Sequence, residues 1–211
     1  NTKKLLASAK QGITEHAADI IVFSELVLTA YPPEDLLLRP SLDKRIATAL
    51  QEIQNAKLEA YLVVGYPGRV NGELYNMLGV YHAGKCLTTY SKQCLPNYQV
   101  FDEKRYFSAG NEACVLEINN TPIAFTICED LWEKRPMQEA KEAGAKLMIN
   151  INGSPFHMNK IQDRQEIIQQ RISENAMPVI YVNQVGGQDE LVFDGASMAF
   201  DQSGRLCAMA P

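Results

Sequence analysis

Four times along this chain, residues with the apolar spacing of a helix are followed within a few positions by a short aliphatic run, and this alternation constrains the fold most. Residues 1–18 carry Leu5, Leu6, Ala9, Ile13 and Ala17 on one helical face, and residues 19–23 follow as a strand-like run. Residues 42–57 before 61–65, 136–144 before 146–151, and 163–176 before 179–183 repeat the unit. Between them, pairs of strand-like segments flank turn residues: 74–82 and 85–90 around Ala83-Gly84, 113–118 and 123–128 around 119–122, and 196–200 and 206–209 around 201–204. Helices with one apolar stripe and strands too apolar to face water on both sides bury each other by layering. The pattern therefore predicts an α/β layered protein with mixed sheets. At 211 residues, 46% of them hydrophobic, the chain can bury one substantial core, and a single domain over residues 1–211 is expected.

Bulk properties remove several classes of function. Apolar runs such as residues 178–182 are far shorter than the ~20 residues a membrane-spanning helix needs. The first residues, NTKKLL, show no basic-then-apolar leader, so a cytoplasmic location is expected. The net charge is −5 with basic residues scattered, which offers no stripe to follow a phosphate backbone, and nucleic acid is not an expected partner. Five cysteines (Cys86, Cys94, Cys114, Cys128, Cys207) without a C-x-x-C pair fit neither a disulfide framework nor a zinc knuckle. A chain opening on a helix that feeds a buried strand normally has an earlier strand beside it, and residues 206–209 end just before the terminus. A piece of a longer polypeptide is expected.

Polar residues cluster where strands should hand over to loops: Ser24-Glu25, Cys128-Glu129-Asp130 and Asn152-Gly153-Ser154. Layered α/β proteins tend to place their sites at such ends, and the three ends are expected to converge. Taken singly, each residue has a bland explanation. A free cysteine is commonly a small buried apolar residue, Glu25 could cap a loop, and Lys92 could be a solvated lysine at a strand end. Together Cys128, Glu25 and Lys92 supply what amide hydrolysis through a thioester requires: a nucleophile, a carboxylate to move its proton, and a cation for the developing oxyanion. Histidine is a poorer base here, because His16 falls on a helix and His82 on a hairpin. Only His157 lies near a candidate strand end, and a Cys128 and His157 pair ranks below the glutamate. Gly186-Gly187 lacks the G-x-G-x-x-G spacing, no phosphate-binding loop of the G-x-x-x-x-G-K type occurs, and Ser154 is not in a G-x-S-x-G elbow. The acidic pairs Asp102-Glu103, Glu129-Asp130 and Asp189-Glu190 read as solvated loop carboxylates at least as well as metal ligands, which keeps a metal-dependent phosphoesterase as an alternative.

With Glu25 in FSE, Lys92 in YSK and Cys128 in ICEDLW, in that order, the chain resembles the nitrilase and amidase superfamily. Three longer strings narrow the resemblance to the glutaminase domains of glutamine-dependent NAD+ synthetases: LTAYPPEDLL (residues 28–37), LPNYQVFDEKRYF (residues 95–107) and VNQVGGQDELVFDG (residues 182–195). The likeness runs through essentially the whole chain. It implies a nitrilase-like four-layer α-β-β-α sandwich with mixed sheets, truncated at both ends. It implies glutamine as substrate, Cys128 as nucleophile and Glu25 as the group that moves its proton. Lys92 and the backbone N–H of Glu129 would hold the oxyanion, with Glu103 as a second glutamate supporting the lysine. Tyr31, Tyr98, Glu129 and Ser154 match the family's substrate-pocket positions.

The resemblance further implies no cofactor in this part. ATP and Mg2+ would serve a synthetase domain of the parent chain, absent here, that uses the released ammonia to make NAD+ from nicotinic acid adenine dinucleotide. A homo-oligomer is implied as well. Gln99 stands where the family often has glycine, and in residues 156–160 a glycine commonly precedes the lysine that is Lys160 here. The alternatives are a free-standing amidase or carbamoylase of the same superfamily and, outside enzymes, an interaction module whose exposed sheet edge pairs with a partner. For the piece alone, weak or absent turnover is expected unless neighbouring chains complete the site.

Overall fold

A computed structural model describes every residue of the chain except Gln99 and Pro211. The chain divides into two compact units, one of Asn1–Ser91 with Leu95–Gly110 and one of Lys92–Cys94 with Asn111–Pro211. The sequence reads as one domain, and two units appear because each of the two larger sheets has its own helices and its own core.

In the first unit, α1 (Thr2–His16) leads into β1 (Ile20–Val22), and α2 (Pro40–Asn55) into β2 (Tyr61–Val70), β3 (Glu73–His82) and β4 (Lys85–Ser91). The sheet order is β1-β2-β3-β4, with β1 parallel to β2 and the other neighbours antiparallel. Helix α1 stops where Ala17 turns left-handed and its N–H closes on Ile13. Helix α2 opens with Pro40 at its first turn, where the missing N–H costs nothing. Leu5 and Ala9 of α1 and Ile46 and Ile53 of α2 pack with Leu62, Val64, Tyr66, Met77 and Tyr81 of the sheet. Strand β2 runs five residues past Gly65, where the sequence reading ends it. Val70 pairs with Glu73 across Asn71-Gly72, both at positive φ, the conformation a two-residue hairpin turn demands.

In the second unit, β5 (Val115–Ile118), β6 (Thr121–Ile127), α3 (Lys134–Glu142), β7 (Leu147–Asn152), α4 (Lys160–Asn175) and β8 (Val179–Asn183) come first. The hairpin β9 (Val185–Gln188) and β10 (Leu191–Asp194) follows, then β11 (Met198–Phe200) and β12 (Leu206–Met209). Its six-stranded sheet has the order β12-β11-β8-β7-β6-β5. The β6-β7-β8 centre is parallel, so each pair needs a crossover, and α3 and α4 provide them. Met137 and Ala140 of α3 and Ile168 and Ile172 of α4 pack on Ala124, Met148, Val179 and Tyr181. The expected helices, strands and hairpins are all present, within a few residues at their ends. The β9–β10 hairpin was not expected, because Gly186-Gly187 gives a poor strand signal.

Candidate active site

Strand β6 ends at Ile127, and Cys128 opens a short 3-10 turn, Cys128–Leu131. Cys128 adopts φ 45°, a left-handed conformation that disfavours any side chain and persists only where its surroundings impose it. Asp130 is one such constraint: its Oδ2 accepts the Ile127 N–H at 3.0 Å, and no part of it is exposed. Cys128 is itself buried. Because β7 lies parallel beside β6, with Ile127 opposite Ile151, the segment Asn152-Gly153-Ser154 emerges at the same sheet end as the cysteine.

Lys92, with no exposed surface, belongs to this unit too. The two residues after it donate backbone N–H groups to Asp130 Oδ1, Gln93 at 3.0 Å and Cys94 at 2.8 Å. One carboxylate thus ties the lysine's segment to the cysteine's turn. Burial, and then the nearby Asp130 charge, push the Cys94 thiol up to about 12, so it is neutral at physiological pH.

Ser154 is held by a fully buried Arg164. Its hydroxyl accepts Arg164 Nε at 3.2 Å and its carbonyl accepts Nη2 at 2.9 Å, while Nη2 also reaches the Pro155 carbonyl at 3.1 Å and Nη1 pairs with Asp194 at 2.8 Å. Asn183 completes the cradle, accepting the Ser154 N–H at 2.9 Å and donating to its carbonyl at 3.1 Å. Lys160, at the start of α4, lies with its Nζ 4.1 Å from the centre of the Trp132 ring. Burial lowers its pKa below the ordinary lysine range, opposed first by Asp163 and less by Cys128 and Glu129. The sequence does not single out Arg164, offers Asp130 only as part of the polar cluster after residue 127 and of an acidic pair, and offers Lys160 only as a departure in loop sequence. The signal available for Lys160 was its position, next to a helix start that follows a strand end.

The other expected residues lie in the first unit. Glu25 is fully buried, and its Oε1 accepts Asn76 Nδ2 at 2.7 Å, from a strand residue the sequence reading did not single out. The Tyr31 hydroxyl donates to Glu103 Oε1 at 2.8 Å, which brings two expected site residues together beside a cavity of about 200 Å³ also lined by Phe101, Tyr106 and Phe107. Tyr98 is half exposed and meets Phe101 edge-on at 5.8 Å. Gln99 lies outside the described residues. His157 is exposed, with its Nδ1 2.9 Å from the Met158 carbonyl, while His82 stacks on Tyr61 at 4.2 Å. Among the described residues no group of three or more His, Cys, Asp or Glu is placed to hold a metal ion, and no helix is long and apolar enough to cross a membrane.

The carbon-nitrogen hydrolase family model matches residues 1–211. A glutamine-dependent NAD(+) synthetase of Xylella fastidiosa is 40% identical over 208 residues, covering 98% of this chain and 38% of the relative. One from Aquifex aeolicus is 43% identical over 194 residues, covering 90% of this chain and 34% of the relative. The chain thus spans well under half the length of the curated relatives it matches. Among solved structures, the glutamine-dependent NAD+ synthetase of Acinetobacter baumannii in complex with adenosine diphosphate superposes with a TM-score of 0.96 at 36% identity, over 100% of this chain and 40% of that one. A nitrilase-superfamily amidase of Nesterenkonia AN1 gives 0.88 at 20% identity, over 100% of this chain and 81% of that one, a likeness of fold.

Proposed function

Because this chain belongs to the carbon-nitrogen hydrolase family, we propose that it hydrolyses the side-chain amide of glutamine through a thioester on Cys128. The reading is carried by one observation: a buried cysteine held left-handed at a strand end, with the segment of a buried lysine tied to its turn through Asp130. The likeness to glutamine-dependent NAD(+) synthetases selects the amide.

In this proposal Glu25 takes the thiol proton as sulfur adds to the amide carbon, and the carbonyl π electrons move onto oxygen. Lys92 and the Glu129 N–H stabilise that oxyanion. Glu25 then gives its proton to the departing nitrogen, the C–N bond breaks, and ammonia leaves a glutamyl thioester. Water adds next, its proton going to Glu25. The C–S bond breaks, and the proton returns to sulfur as glutamate leaves. Asn76 orients the Glu25 carboxylate, and Glu103 supports Lys92. Tyr31, Tyr98, Glu129 and Ser154 shape the pocket, and Lys160 takes the substrate's α-carboxylate. An ammonium that has lost water to burial gains more from an anionic partner than a solvated one does. Lys160→Met is accordingly expected to raise KM for glutamine about tenfold or more with kcat little changed, the pattern of lost binding common to ground and transition states.

We place this chemistry in the cytoplasm, within a longer homo-oligomeric protein. Its synthetase domain, supplied with ATP and Mg2+, would use the ammonia to make NAD+ from nicotinic acid adenine dinucleotide. Mass spectrometry after treatment with a glutamine-like electrophile tests the core of the proposal. The expected result is a single adduct on Cys128 that glutamine blocks. Turnover of simple amides with none of glutamine would instead favour a free-standing amidase.

A further inference from the structure

We propose that Asp130 is a positioning residue of this site: its buried carboxylate sets Lys92 against Cys128 by gathering backbone N–H groups from both segments. The proposal rests on the thioester chemistry above. Asp130 has no exposed surface, and its two oxygens serve different segments. Oδ2 accepts the N–H of Ile127, one residue before the nucleophile, at 3.0 Å. Oδ1 accepts those of Gln93 and Cys94, the two residues after the lysine, at 3.0 and 2.8 Å.

The Gln93 N–H belongs to the same planar peptide as the Lys92 carbonyl, so holding it fixes the backbone from which the lysine side chain departs. The three residues Lys92–Cys94 belong to the second unit although Ser91 before them and Leu95 after them belong to the first. The carboxylate binds two of their three N–H groups, and the Gln93 side chain adds a bond to the Glu112 carbonyl at 3.3 Å. A cation stabilises an oxyanion only from the right place, and a displacement of about 1 Å can cost roughly 100-fold in rate. An asparagine side chain offers one acceptor oxygen and turns a donor NH2 toward the other N–H groups. Asp130→Asn must therefore release either the cysteine's strand or the lysine's segment.

The test separates two reactions of Cys128. Thioester formation from glutamine passes through an oxyanion and needs Lys92 in place. Alkylation by iodoacetamide displaces iodide and forms no oxyanion. Asp130→Asn is expected to slow thioester formation, followed by mass spectrometry, at least tenfold while changing the alkylation rate of Cys128 less than threefold. An equal loss in both would mean that the turn has merely collapsed, and no loss in either would mean that the carboxylate positions nothing. Each overturns the proposal. Should the variant fail to fold, amide exchange in the unsubstituted protein decides: Gln93 and Cys94 protected as strongly as β6 and β7 support the tie, and rapid exchange at both refutes it. Absence of any glutamyl thioester in the unsubstituted protein counts against the glutaminase reading, whereas the exchange rates still report on Asp130.

Discussion

Replacing Cys128 with alanine is expected to remove glutamine hydrolysis altogether, by a factor of about 10⁴ or more, since nucleophile deletions in covalent hydrolases reach that scale. The loss follows from chemistry: alanine has no atom that can form the thioester. The Cys94 thiol, with its pKa pushed up to about 12 by burial and the Asp130 charge, is no substitute. The fold should survive, because removal of one sulfur from a buried site lies within the ordinary range of single substitutions, about 1 kcal/mol. The left-handed φ of 45° at this position adds a second expectation. Cys128→Gly should be more stable than Cys128→Ala by about 1 kcal/mol, because glycine adopts that conformation without a Cβ penalty. Steady-state ammonia release and a denaturant melt check both. Near-native ammonia release by Cys128→Ala would sink the nucleophile assignment, and a glycine variant less stable than the alanine one would sink the argument from backbone strain.

Arg164→Met should be the most damaging change to stability, costing about 3–5 kcal/mol, the range seen when one member of a buried ion pair is removed. The arginine is fully buried and makes four hydrogen bonds: to the Ser154 hydroxyl and carbonyl, the Pro155 carbonyl and the Asp194 carboxylate. Methionine fills much of the volume but leaves those acceptors facing a side chain with no donor. The Asp194 side chain is 17% exposed, so water can reach that end of the pair, and the Ser154 carbonyl keeps its bond from Asn183, so the loss should fall mainly on the Pro155 carbonyl. The double variant with Asp194→Asn is expected to recover part of the stability by removing the stranded charge. Urea unfolding measures both. A loss below about 1 kcal/mol would show that Asn183 alone holds the Ser154 segment.

The helices, most strands and three hairpins were legible in the chain because hydrophobic spacing is a local property. The places of Cys128, Glu25 and Ser154 just past strand ends were legible because each follows an apolar run that had to be a strand. The chain also carried the resemblance that the carbon-nitrogen hydrolase match bears out. Two kinds of feature escaped. Strand β2 past Gly65 and the β9–β10 hairpin carry glycines that weaken strand propensity, and pairing with neighbours overrode it. The pairings of the expected site residues escaped for a different reason. Asn76 bonds to a glutamate 51 positions away, Asp130 to amides 36 and 37 positions away, and Tyr31 to a glutamate 72 positions away. No window along the sequence contains both members of such a pair.

By itself, then, the sequence determined which segments become helix or strand, which polar residues stand at strand ends, and which family the chain belongs to. Tertiary structure alone decided that the Asp130 carboxylate would join the lysine's segment to the cysteine's turn, that Arg164 would be sealed beneath Ser154, and that Lys160 would lie over Trp132. A side chain's periodicity depends on its neighbours in the chain. Its hydrogen bonds, burial and charge depend on whatever the folded backbone brings within about 3 Å of it.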